Sequence, residues 1–214
     1  MAKERPAPTY YSTARLEAYT DGVFAIAATL LVLDLTTAAL GQIQTDAELW
    51  AALARMWPSF MSFGVSFALL SGLWFIHLGQ FRGIARVDVT LVWLNAARLL
   101  FVVLIPFTTS LVSDYSTFYA GRMLLPINFF FAALFGHLSW RWAAARHGHL
   151  LTPDAAADIP TEGAGGLAAV ICGAIAAVAS PWLGSWGFCA YFLNGPLTAL
   201  LRRRAMRRAA AGAS

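Results

Sequence analysis

Four histidines, two cysteines and eleven carboxylates are the reactive stock of this 214-residue chain, and their spacing builds no enzyme centre. His147 and His149 flank Gly148 without a third ligand nearby, a pattern of surface histidines rather than of a metal site. His137 lies in an apolar stretch and is expected to be a buried, hydrogen-bonding histidine, with a proton relay as the alternative. Cys172 and Cys189 also sit among apolar residues, where cysteine behaves as a small hydrophobe. HExxH, GxSxG and Walker A patterns are absent. Gly163, Gly165 and Ala168 satisfy the loose form of a dinucleotide fingerprint, but that motif needs a preceding strand, and here it opens an apolar helix. Neither catalysis nor a cofactor is expected.

The informative polar residues are those stranded in apolar surroundings. Asp21 stands at the start of the first apolar run, where a carboxylate is costly unless paired or wetted. Arg98 lies in the middle of a later run, and an arginine at that depth costs about 2.5–3.5 kcal/mol on insertion scales. It is expected to pair with an acid or hydroxyl from another helix, Glu17 and Asp21 being nearest in depth. Along the first run, at 100° per residue, Ile26, Thr29, Leu30 and Leu33 share one face, extended by Gly22 and Thr37. Periodicity by itself reads this as a face packed against other helices.

The elements that must position these residues follow from composition. Hydrophobic residues make up 59% of the chain and charged residues 12%, with a mean hydropathy of +0.63. A soluble domain carries about a quarter charged residues, so lipid is the matching solvent. A span needs about 20 apolar residues, and six segments qualify: about 19–40, 58–81, 89–112, 118–142, 163–180 and 184–201. The last two form one long block broken by Ser180, Pro181, Gly184 and Gly187, read as a helical hairpin. Within it Gly165, Ala169, Gly173 and Ala177 make a stripe of small residues suited to close helix approach. The fold class expected is all-α, a polytopic six-helix membrane protein forming a single domain over residues 1–214.

Basic residues orient it. With the N-terminus inside, the inner segments hold Lys3, Arg5, Arg15, Arg82, Arg86, Arg141, Arg146, Arg202, Arg203, Arg204, Arg207 and Arg208, against Arg55 and Arg122 outside. Twelve against two places both termini in the cytoplasm. The net charge of +4 is therefore a topology signal, with membrane lipid and not nucleic acid as the partner of the arginine cluster.

Arg15, Tyr19-Thr20-Asp21 and the following VFAIAATLLVLDL resemble the RxxxFSD signature of the transmembrane protein 175 family of lysosomal potassium channels and their bacterial homologues. The resemblance continues through Trp74, His77, Phe81, Arg82, Arg86-Val87-Asp88, Trp93-Leu94-Asn95 and Pro106-Phe107-Thr108-Thr109. It covers the first three spans, while the last three agree mainly in hydropathy. Tyr19 and Thr20 replace the signature's Phe and Ser, Leu78 replaces the second residue of an HH pair, and Arg98 stands where the pattern is apolar.

The resemblance implies a homotetramer in the bacterial inner membrane, conducting K+ passively through a pore lined by the first helix. Ile26 would form the narrowest ring, with Thr29, Leu30 and Leu33 further outward. Arg15, Thr20, Asp21, Trp74, His77 and Asn95 would form a buried polar network anchoring the pore helix. No TVGYG carbonyl filter is present, which fits a hydrophobic constriction. The rival readings are an ion-coupled transporter, disfavoured by the lack of a carboxylate deep in any span, and a non-conducting assembly protein.

Overall fold

The computed structural model describes residues 10–212; Lys3, Glu4 and Arg5 lie outside them. Among the described residues the chain is helical, with two isolated β-bridges and no strand. Helix α1 (Thr13–Leu30) starts before the apolar run, because the Ser12 hydroxyl accepts from the Arg15 backbone N–H and caps it. It tightens into a 3-10 turn over Leu31–Asp34. Thr37 therefore falls off the helix face expected of it and into a separate turn, Thr37–Leu40.

Helix α2 (Asp46–Arg55) is opened by a capping box between Thr45 and Glu48, and α3 (Trp57–Arg82) has Pro58 in its first turn. The third expected span is broken into α4 (Val89–Val103) and α5 (Ile105–Tyr115). Pro106 cannot donate a backbone hydrogen bond, and at this break the Leu104 N–H turns to the Leu100 and Val102 carbonyls, while the Asn128 side chain of α6 donates to the Phe101 carbonyl at 2.9 Å. Next come α6 (Tyr119–Gly148), the short α7 (Pro153–Ala157) and α8 (Ile159–Glu162), and α9 (Ala164–Leu183).

Five stretches, Thr13–Asp34, Trp57–Arg82, Val89–Tyr115, Tyr119–Ala145 and Ile159–Leu183, are long and apolar enough to cross a membrane. The sixth expected segment has a different form. Gly184 takes a left-handed backbone (φ 56°) and closes α9. A 3-10 stretch, Gly184–Leu193, then leads into α10 (Asn194–Gly212), which carries the arginines. The chain doubles back on α9 tightly enough that a Cβ at Gly187 would stand 3.2 Å from the Ser180 Cα.

Two apolar clusters hold the bundle. One joins α1, α3, α4, α5, α6 and α9 through residues such as Phe24, Leu31, Leu70, Val102 and Phe129. The other gathers Phe81, Val87, Leu91, Trp140 and Leu150 at the arginine-rich end. There Asp88 caps α4 through the Leu91 N–H at 2.8 Å and accepts from the Trp142 indole at 3.0 Å. That arrangement gives the Arg86-Val87-Asp88 stretch its local role. The small-residue stripe of α9 does mediate close packing, but its buried line is Gly166, Ala169, Gly173, Ala176 and Ser180, rotated slightly from the expected four-residue repeat. Gly165 has nothing within 4 Å of a Cβ position, whereas a Cβ at Gly173 would meet the Phe130 Cα at 3.0 Å.

Overpacking a tight helix contact costs about 1–3 kcal/mol. Gly173→Val is therefore expected to lower the melting temperature of the detergent-solubilised protein by several degrees, while Gly165→Ala leaves it unchanged. Thermal denaturation of the two variants side by side checks this, and equal melting would show that α6 and α9 do not depend on the glycine.

Candidate functional site

Helices α1, α3 and α4 meet at one level through three polar pairs, each helix contributing two residues. Between α1 and α4, the Asn95 side-chain amide donates to the Thr20 hydroxyl at 2.7 Å, and that hydroxyl donates to the Leu16 carbonyl at 2.8 Å. Between α1 and α3, the Trp74 indole N–H donates to Asp21 Oδ1 at 2.9 Å. Between α3 and α4, Arg98 Nη1 lies 3.1 Å from His77 Nδ1 and Arg98 Nη2 donates to the Leu73 carbonyl at 2.8 Å. The pairs close a triangle because the spacings 20–21, 74–77 and 95–98 set each helix's two residues on neighbouring faces.

The Arg98 edge corrects an expectation. Its partners are an imidazole and a backbone carbonyl, not Glu17, Asp21 or a hydroxyl. The guanidinium is only 2% exposed. It lies with its central carbon 5.4 Å from the centre of the Phe24 ring, an attractive arrangement for a cation. Room for it comes from Gly136 on α6, where a Cβ would stand 3.1 Å from the guanidinium carbon. A guanidinium has no acceptor, so His77 must present the lone pair of Nδ1 and carry its proton on Nε2. The ring is further packed at 4.1 Å between centroids on Phe81. His77 Nε2, Arg98 Nε and Asn95 Oδ1 are buried without a protein partner, so the triangle is incompletely satisfied.

Of the six residues expected in the network, five are engaged in these pairs. Arg15 is not among them: its side chain is exposed and makes no hydrogen bond with the described residues. The network is three separate contacts with no bond from one to the next. Phe24, Leu73, Gly136 and the role of Arg98 were not legible from spacing, since each depends on which helices become neighbours. His137 is half-buried on α6 with its Nδ1 unpartnered, so the hydrogen bond expected of it is absent at that atom. His149 Nδ1 pairs with the Ala145 carbonyl at 3.0 Å; the side chain of His147 lies outside the described residues.

The triangle fixes the rotation of α1. With Thr20, Phe24, Ala27 and Leu31 turned inward, the opposite face presents Ile26, Thr29, Leu30 and Leu33, all exposed in the subunit, Ile26 at 61% and Leu33 at 68%. The 3-10 turn stretches the rise between Ile26 and Leu33 to about 12 Å, against about 10.5 Å for an unbroken α-helix.

Comparison with known proteins matches this region to a family. The family model described as the endosomal/lysosomal potassium channel TMEM175 matches residues 15–106. A potassium channel of Streptomyces collinus is 35% identical over 144 residues, covering 65% of this chain and 68% of that protein. The chain belongs to the TMEM175 family. The crystal structure of a lysosomal potassium-selective channel TMEM175 homologue from Chamaesiphon minutus superposes with a TM-score of 0.61 at 26% identity, covering 90% of this chain and 97% of that one. The bovine endosomal/lysosomal proton channel TMEM175 is 32% identical over 154 residues, of which this chain spans about a third, 32%, of the length. As TMEM175 is a family of ion channels, the chain is a multi-pass membrane channel and not an enzyme. The matched residues take in α1 from Arg15 onward, α3, α4 and Pro106, and with them the whole triangle.

An unsatisfied buried partner costs about 1–3 kcal/mol, whereas replacing both partners of a buried polar pair by apolar groups is often neutral or stabilising. His77→Phe, which keeps a ring but removes the acceptor for Arg98, is expected to lower thermal stability by that amount. Arg98→Met, which leaves the buried His77 Nδ1 without its donor, is expected to cost a similar amount, and the double variant to lose less than the sum of the two single losses. A double-mutant melting cycle reads this coupling; strictly additive losses would show that the two side chains do not support each other.

Proposed function

We propose that the protein is a potassium-favouring monovalent cation channel, conducting passively along the exposed face of α1 in an assembly of four copies. The supporting observation is the exposure of Ile26, Thr29, Leu30 and Leu33 on one face, within the region matched to a family whose Streptomyces collinus member is a potassium channel. Four α1 helices around an axis would turn these residues into rings, the Ile26 ring narrowest. Isoleucine cannot replace a hydration shell, so ions pass according to how readily they shed water, and potassium sheds it more readily than sodium. The Thr29 hydroxyl donates to the Ile26 carbonyl at 2.8 Å, leaving its oxygen lone pairs for a passing cation.

Assembly in this reading uses the edge beside α1. A cleft of about 340 Å³ between α1 and α3 is lined by Asp21, Phe24, Ala28, Leu70 and Trp74, a site for an apolar side chain of a neighbouring subunit. Arg15, without a side-chain hydrogen bond to the described residues of one subunit, then belongs to the contact between copies, where Asp21 and Arg15 anchor the cytoplasmic end of the pore helix. Linear current–voltage relations with high unitary flux support the channel reading over a carrier, and potassium flux in liposomes separates it from a non-conducting assembly protein.

Two outcomes test the reading. In this reading assembly buries the Asp21 and Arg15 side chains, and breaking a buried charged contact costs about 3–5 kcal/mol, so Asp21→Ala or Arg15→Ala should reduce recovery of tetramer in detergent more than it changes ion preference. Size-exclusion profiles matching wild type in both variants would remove the anchor. Ile26→Asn should raise conductance and erode the preference for potassium over sodium, because a polar ring lowers the dehydration barrier most for the more strongly hydrated ion. Ile171→Asn on α9 should do neither. Paired bilayer recordings under mixed potassium and sodium gradients decide it; an unchanged conductance and reversal potential for well-folded Ile26→Asn would show that Ile26 is not the constriction.

A further inference from the structure

The arginines of α10 are not equivalent. Leu201, Arg204, Ala205 and Arg208 follow one face at helical spacing and line a cleft of about 900 Å³ between α10, the α8–α9 corner and α6. Arg141 and His137 reach the same cleft from α6. Arg141, Arg204 and Arg208 are exposed and make no hydrogen bond or ion pair with the described residues. No carboxylate lines the cleft; Glu162, at the end of α8, faces a separate cleft together with Arg202. Three uncompensated guanidinium groups around one concavity demand an anion, and their planar donors match phosphate oxygens.

The rest of the lining says which anion. Ile159, Leu167 and Leu201 continue the cleft with apolar surface, and Leu167 is an exposed residue on the spanning helix α9. A free phosphate gains nothing from such a wall, whereas a lipid places its headgroup among the basic residues and its chains along the apolar ones. Basic pockets between helices at the cytoplasmic face of a membrane protein suit anionic headgroups in this way. We propose that this cleft binds an anionic phospholipid, its phosphate held by Arg141, Arg204 and Arg208 and its acyl chains laid against Ile159, Leu167 and Leu201. The site lies apart from the α1 face and stands independently of the reading of permeation.

Native mass spectrometry of the full chain in detergent tests it, with phosphatidylglycerol added and phosphatidylcholine as comparator. Wild-type protein should retain phosphatidylglycerol preferentially. Each arginine near a headgroup contributes about 1 kcal/mol, so Arg204→Gln/Arg208→Gln should weaken retention about 30-fold, and Arg141→Gln on α6 about fivefold. Arg202→Gln/Arg203→Gln removes the same charge from other faces of α10 and should change retention less than about threefold. Equal losses in the two double variants would overturn the proposal, reducing it to diffuse attraction to the tail. Displacement of the lipid by millimolar inorganic phosphate would overturn it in favour of a free-anion site. A changed subunit number with unchanged lipid retention would overturn it in favour of a contact between chains.

Discussion

Lipid tails are as apolar as leucine, so burial away from water gives helices within a membrane little reason to choose one neighbour or rotation over another. In this protein the choice for the first helix is made by polar contacts. Thr20 must meet Asn95, Asp21 must meet Trp74, and the Arg98 guanidinium must find acceptors between α3 and α4. Individual interhelical hydrogen bonds average only about 0.6 kcal/mol. Their force here lies in geometry: two pairs from adjacent positions of α1, one to α4 and one to α3, permit a single rotation of that helix. Turning that helix by one residue would separate Thr20 from Asn95 and expose Phe24, which now lies under the guanidinium. The exposure of Ile26, Thr29, Leu30 and Leu33 is the complement of that constraint.

The second half of the chain uses another principle. α6 and α9 approach through glycine, alanine and serine, close enough that Gly173 leaves no space for a Cβ beside Phe130. Dispersion at short range replaces polar specificity there. Polar pairing requires particular side chains and so leaves a readable pattern. Small-residue packing accepts several sequences and retains mainly the shape.

Arg98 joins the two halves. It sits on α4, bonds to α3, lies over Phe24 of α1 and occupies the space left by Gly136 of α6. A positive charge so placed is held by one imidazole nitrogen, one carbonyl and an aromatic face, with its Nε unmatched.

Sequence by itself determined the solvent, the helical class and the distribution of charge. These follow from composition and from 3.6-residue periodicity, which need no knowledge of neighbours. It also named five of the residues that meet in the triangle, through their resemblance to a family signature. Only the tertiary structure decided that Arg98 pairs with His77 and Leu73, that Arg15 stands apart within the subunit, that the third span breaks at Leu104, and that the sixth segment enters as a 3-10 stretch. The physical reason is the same in each case. A side chain's partner is fixed by which helix lies alongside and at what rotation, and that information belongs to contacts between segments far apart in the chain.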